Sequence, residues 1–219
     1  MDSKDHLHED TARVLNELAV SDSFLGSESS VPVLLEKSVP VKRDQGALLR
    51  AYCLGINAKR TLEIGLAYGG SALWILDAQR FQVGAHHIAI DPFQRSQWGG
   101  VAISAIGSLT FPKSFELLED LSIHALSGLI KKNDKFDLIF IDGNHRFDDV
   151  MVDFYLSDQL LNVGGILAFH DLWMPSISMV SKFVATNRAF RLVSEALDMH
   201  LYQKLTDDSR PWNHFNPFP

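Results

Sequence analysis

FDLIFIDG, residues 136–143, limits the fold more than any other stretch of this chain. It carries a continuous apolar run closed by an acid and a glycine. Runs of that kind belong to parallel strands covered on both faces, because a half-exposed strand would alternate apolar and polar residues. GILAFHD, residues 165–171, repeats the pattern and again ends in an acid, Asp171. Three further strands are expected earlier, in TLEI, in HHIAI before Asp91 and in SFELLED.

Helical patterns separate these strands. A helix over Arg43 to Leu54 should present Leu48, Ala51 and Tyr52 on one face. ALWILDAQ, a weaker segment over Gln97 to Leu109, and LSIHALSGLIKK follow. Another runs from Asp148 to Leu161 with Val150, Phe154, Ser157 and Leu161 at helical spacing, its dipole favouring Asp148 and Asp149, and Gly164 and Gly165 should stop it. A last helix is expected over Ile177 to Asn187. FRLVS and HLYQKL then lie only a few residues apart, too close for a parallel crossover, so they should pair antiparallel. The expected fold is α/β: a Rossmann-like, doubly wound, seven-stranded, mostly parallel sheet with an antiparallel C-terminal strand pair.

A chain of 219 residues suffices for one such domain. The expected organisation is an N-terminal extension over 1–40, a main domain over 41–207 and a C-terminal tail over 208–219. Residues 1 to 9 read as a frayed tail. Asp10 and Thr11 should cap a short helix carrying Val14, Leu15 and Leu18. The section to about Val39 is too short for its own core and suits an accessory lid or a dimer arm, which leaves a homodimer open. The aromatic tail RPWNHFNPFP should pack on the body or cover an edge.

Composition removes several functions. A net charge of -7 disfavours a nucleic-acid partner. No apolar run reaches the roughly 18 residues of a membrane span. One cysteine, Cys53, and a polar N-terminus fit a cytoplasmic location.

Function is first legible in TLEIGLAYGGS, residues 61–71, where a strand stops at a glycine turn and restarts as a helix. Such a turn aims backbone N–H groups into a crevice. Gly65 allows a tight turn, and Gly69 and Gly70 allow a ligand close to the backbone. Glu63 inside the apolar strand needs donors, expected at the turn. The dinucleotide pattern GxGxxG is broken at Ala67, whereas Glu-x-Gly-x-x-x-Gly is complete as Glu63, Gly65 and Gly69. Asp91 lies 21 residues after Gly70, the spacing at which a carboxylate takes the ribose hydroxyls of a nucleoside cofactor. Ser122, just past the third strand, could contact an adenine.

Parallel strands bring their carboxyl ends to one edge. That places Asp142, His170 and Asp171 together, and two carboxylates so close need a proton, a donor or a cation between them. A divalent cation, Mg²⁺ or another, would take two oxygens and an imidazole nitrogen. Both His170 and Asp171 can reach it only if the strand has already ended at His170. His145, three residues past Asp142 in the following loop, suits proton removal from a hydroxyl near neutral pH.

Together LEIG-x-x-x-GGS, ID, IDG-x-H and GG…HD resemble class I S-adenosylmethionine-dependent methyltransferases, and many relatives with this combination resemble the cation-dependent small-molecule O-methyltransferases. The resemblance spans roughly Gln45 to Asp171. It implies that Glu63, Gly65, Gly69, Ser71 and Asp91 hold S-adenosylmethionine, with Ser122 near adenine and Asp142 and Asp171 at metal positions. The chain departs from the catechol-type pattern at Leu172, where those enzymes carry Asn. It departs from the sugar-type pattern at His170, where those carry an acid. The expected activity is therefore O-methylation of a small-molecule acceptor, with Asp142 as the partner that orients His145. An NAD-dependent oxidoreductase and a non-catalytic cofactor-binding module remain the alternatives from other classes.

Overall fold

A computed structural model describes residues 4–218. In chain order its elements are α1 (Glu9–Val20), β1 (Ser23–Phe24), β2 (Val33–Leu34), α2 (Arg43–Gly55), β3 (Arg60–Ile64), α3 (Gly70–Gln79), β4 (His86–Ile90) and α4 (Val101–Gly107). There follow β5 (Phe115–Leu118), α5 (Ser122–Lys131), β6 (Phe136–Ile141), α6 (Phe147–Leu160), β7 (Leu161–Phe169), α7 (Pro175–Asn187), β8 (Phe190–Ala196) and β9 (Met199–Lys204). The sheet runs β5-β4-β3-β6-β7-β9-β8, and a separate pair joins β1 to β2. The β3–β4, β3–β6, β4–β5 and β6–β7 pairings are parallel, whereas β9 is antiparallel to both β7 and β8. This is the doubly wound α/β sheet expected from the sequence, and it closes with the antiparallel pair instead of a sixth parallel strand.

The apolar runs are buried on both faces. In β6, Ile139 and Ile141 join a core with α5, α6 and α7, while Leu138 and Phe140 join a core with α2 and α3. In β7, Leu167 and Phe169 divide from Ile166 and Ala168 in the same way. Side chains of a strand alternate in direction, so a strand between two helical layers must be apolar at both parities. A third core gathers α1, α3 and α4 around Leu66, Tyr68 and Leu73 and includes Val14, Leu18, Phe24 and Leu35.

Several local expectations need correction. Helix α2 buries Gln45, Leu49, Arg50 and Cys53, and Ala51 is exposed. Leu48 and Tyr52 of the expected face pack partly buried against the core, and Arg50 also turns inward, to Asp77 at 2.7 Å. Helix α6 is not stopped by Gly164 and Gly165. It ends at Leu160, β7 begins at Leu161, and both glycines lie inside β7 where its register with β6 shifts. The cap of α1 is His8, whose Nδ1 accepts from the Asp10 amide at 3.2 Å, while Asp10 bonds the Thr110 amide at 2.9 Å. Residues 4–8 are held against the body: the His8 amide donates to Asp77 at 2.8 Å, and the His6 carbonyl accepts from Arg50 at 2.9 Å and Arg80 at 3.1 Å. Residues 1–3 of the expected tail lie outside the described residues. The C-terminal tail docks on the end of α7, where Asn187 donates to the Asn216 carbonyl at 2.8 Å and accepts from its amide at 2.7 Å. Among the described residues no helix is long and apolar enough to cross a membrane.

Candidate active site

The chain departs from β3 in two directions, to β4 and β5 on one side and to β6 and β7 on the other. A crevice opens beyond the carboxyl ends where these directions separate. Two adjoining cavities occupy it, of about 560 Å³ and about 550 Å³. They share Gly65, Ala67, Trp98, Asp142 and Gly143.

Gly65 is needed because β3 and β6 end side by side. Its φ is +89°, and a Cβ there would fall 2.0 Å from the Asp142 carbonyl oxygen. Ala67, at the position that broke the dinucleotide pattern, has φ +45°. Its amide and that of Leu66 donate to Asp91 Oδ2 at 2.8 and 3.1 Å, together with Gln94 Nε2 at 3.1 Å. Asp91 Oδ1 accepts the Phe93 amide at 2.8 Å. Oδ2 therefore takes three donors and Oδ1 one. Asp91 thus braces the glycine turn and also lines the second cavity.

Two residues of the glycine motif do not reach the ligand space. Glu63 is fully buried and accepts the Ser71 hydroxyl at 2.6 Å, and its other oxygen lies 3.1 Å from His87 Nε2. It holds the hydroxyl of Ser71, which lines the first cavity, while Glu63 itself lines neither. Gly69 lines neither cavity. At φ +83° its missing Cβ leaves room for helix α4, since an added Cβ would lie 3.0 Å from Ala102 Cβ. The space expected for a ligand there is filled by protein, whereas Gly70 remains on the cavity wall.

Beyond β6 and β7 the acids and histidines converge. Strand β7 ends at Phe169 and Asp171 adopts φ +55°, so the adjacent His170 and Asp171 turn to the same place. His170 Nδ1 lies 3.1 Å from Asp142 Oδ1 and 3.4 Å from Asp171 Oδ2. His145 Nε2 lies 3.3 Å from Asp171 Oδ2 and 3.7 Å from Asp142 Oδ1. Ser176 fixes the His145 backbone by donating to its carbonyl at 2.6 Å. One ligand atom each from Asp142, His170 and Asp171 falls within 4.8 Å of the others, as a cation site needs. Burial opposes the charge on His170, but its hydrogen bonds to Asp142 and Asp171 outweigh this and its pKa is pushed up to about 10. Hydrogen bonding to Asp142 also raises His145 against burial, and the bond from His170 holds Asp171 below the usual carboxylate range.

Ser122 opens α5 and lines the second cavity. Asp153 of α6 lines it too and was missed. Its signal was an acid on the buried face of a helix, three residues after Val150 and one before Phe154, where an apolar residue would be ordinary. Residues 37–42, Trp98 and Trp173 wall the first cavity and were named only as regions or not at all.

The family described as "Methyltransferase domain" matches residues 62–172. No curated protein sequence matches the chain. Solved structures share the fold over most of its length. The O-methyltransferase TomG of Streptomyces achromogenes, involved in tomaymycin synthesis and solved with S-adenosylmethionine, is 15% identical with a TM-score of 0.67, covering 92% of each chain. The S-adenosylhomocysteine-bound methyltransferase PaMTH1 of Podospora anserina is 16% identical, TM-score 0.72, covering 91% of this chain and 89% of that one. An O-methyltransferase of Bacillus cereus in complex with S-adenosylhomocysteine is 17% identical, TM-score 0.64, covering 91% of each.

Proposed function

This chain belongs to the methyltransferase domain family, and we propose that it moves the methyl group of S-adenosylmethionine to a hydroxyl oxygen of a small molecule. One observation carries the reading: the two cavities join over Gly65 and Gly143, with the nucleoside-type wall on one side and the acid–histidine cluster on the other. The nucleoside half fits the second cavity, which offers Asp91, Ser122 and apolar walls. The methionine half fits the first, against Gly70 and Ser71 at the N-terminus of α3.

The sulfonium group supplies a methyl already activated for transfer. The protein has to align an acceptor oxygen with it and remove the proton. His145 is the proposed base. It lines the cavity, and Asp142 and Asp171 beside its Nε2 stabilise the imidazolium that forms. Residues 37–42, Trp98 and Trp173 supply the acceptor walls.

Asp142, His170 and Asp171 are the residues that would hold a divalent cation, and the set of two carboxylates and one imidazole fits one. Such an ion would act as a Lewis acid toward the acceptor oxygen. A second reading is favoured by the His170 geometry: protonated, it already lies between both carboxylates and offsets one of their two charges. Calorimetry with S-adenosylmethionine and S-adenosylhomocysteine, then labelled methyl transfer to a panel of phenols and sugars, tests the activity. No cofactor binding would overturn it. Exhaustive chelation separates the two readings of the cluster, since only the cation reading loses turnover and regains it with Mg²⁺ or Mn²⁺.

A further inference from the structure

Trp173 is 64% exposed and yet fixed, because its indole N–H donates to Asp171 Oδ1 at 3.0 Å. It lines the first cavity and also an outer cleft of about 390 Å³, and Asp198 is the other residue that lines both. A molecule with its hydroxyl at His145 therefore passes these two side chains if it reaches the outer cleft.

Asp198 belongs to the two-residue turn between β8 and β9, where Leu197 and Asp198 have φ of +60° and +58°. The turn is held from both sides: the Leu197 carbonyl accepts from the Gln45 side chain at 2.7 Å, and the Asp198 carbonyl from the Leu172 amide at 3.1 Å. A left-handed backbone explains a short polar residue at 198, but Asn meets that need without a charge. The other acids of the first cavity, Asp142 and Asp171, lie beside histidines, whereas the Asp198 carboxylate has no hydrogen-bond or ion-pair partner among the described residues.

Charge around the outer cleft has one sign. Glu195 lines it with Asp198, and among the described residues no Lys or Arg does. Its histidine, His200, is engaged by Ser181 at 2.8 Å and Glu195 at 3.5 Å. Lys37 and Lys42 line the first cavity only, and the Lys37 ammonium donates to the Ser21 carbonyl. An open indole beside an unpaired carboxylate attracts a cation.

We propose that the acceptor is an elongated amino alcohol or aminophenol, whose hydroxyl lies at His145 while its ammonium group rests against Trp173 and Asp198 at the outer cleft. This rests on the methyl-transfer reading above. Asp198 then selects acceptors by charge, at the end remote from the reacting oxygen.

The test is steady-state methyl transfer from S-adenosylmethionine to tyramine, tyrosol and 4-hydroxyphenylacetate, phenols with a cationic, a neutral and an anionic arm, and to glucosamine beside glucose. In whichever series turns over, the wild type is expected to favour the amine over its neutral counterpart by about 5–30-fold in kcat/KM, on the scale of one exposed ion pair and one cation–π contact. Asp198→Asn keeps a residue that tolerates the left-handed turn and removes the charge, so the ratio should fall to within about threefold. A wild-type ratio under about threefold, or a preference for the acid, overturns the proposal even if the variant does not fold, and so does an unchanged ratio in the folded variant. Turnover of none of the five compounds would overturn the small-hydroxyl reading, and this inference with it. Turnover with no preference for the amine would overturn the inference alone.

Discussion

A carboxylate buried beside a cavity should weaken the protein that carries it, and Asp153 gives that cost a size. Its pKa rises from 3.8 to about 6 on folding, caused first by burial. A carboxyl whose folded pKa is raised contributes stability that is complete below the unfolded pKa and is lost as pH rises through the folded one. About two units at 1.36 kcal/mol each amount to about 3 kcal/mol lost above pH 6. Roughly two-thirds of this, about 2 kcal/mol, falls between pH 4.5 and pH 8. Asp153→Asn has no such titration. Its melting temperature relative to the wild type should therefore climb by about 4–8 °C from pH 4.5 to pH 8, at about 2–4 °C per kcal/mol for a chain of this size. The carboxamide brings its own unmet hydrogen bonds, which shift both pH values equally and leave the difference intact. Calorimetric melts of ligand-free protein across that range are the assay. A flat difference, or one falling toward pH 8, would refute the claim that the buried charge is strained.

Glu63→Ala should lower stability by about 3 kcal/mol, or about 6–12 °C in melting temperature, because Ser71 and His87 lose a fully buried partner; a loss under 1 kcal/mol would mean the network contributes little. Gly69→Val should destabilise the fold by collision with Ala102 at an unfavourable φ, seen as a lower melting temperature without ligand. His145→Ala should slow methyl transfer by about 10²–10⁴-fold while S-adenosylhomocysteine affinity measured by calorimetry is unchanged. For His170, raised to about 10, the ion pairing is complete below the unfolded value of 6.5 and lost as pH rises through 10. His170→Asn should therefore flatten the decline of melting temperature between pH 7 and pH 10.

The fold was legible because its main signals do not depend on which neighbour a residue meets. Leu138 to Ile141 are apolar at both parities, and only a strand between two helical layers demands that. The short gap between β8 and β9 excluded a parallel crossover by chain length alone. Where tertiary partners decide, the reading slipped. Arg50 lies on the buried stripe of α2 because Asp77 and the His6 carbonyl wait there, and both are distant in sequence. Gly164 and Gly165 look like a helix stop, yet they serve a register shift between β6 and β7.

The candidate site divides along the same line. Gly65, Asp91, Ser122, Asp142, His145, His170 and Asp171 all follow strand ends or open the next helix, so sheet topology alone carries them to one crevice. Topology gives the edge but not the depth. Glu63 lies one residue inside the end of β3, and that displacement puts it behind the turn with His87 and out of reach of the cavity. Gly69 resembles Gly70 in sequence, but only Gly70 lines the cavity, because α4 returns over Gly69. Asp153 inverts the case. Four residues past Asp149, it sits more than a turn into α6, where an acid ordinarily faces solvent, and nothing in the sequence states that this face of the helix closes a cavity. A carboxylate among Val150, Phe154 and Ser157 is nevertheless a conflict between composition and burial, and local rules give way most often at functional sites.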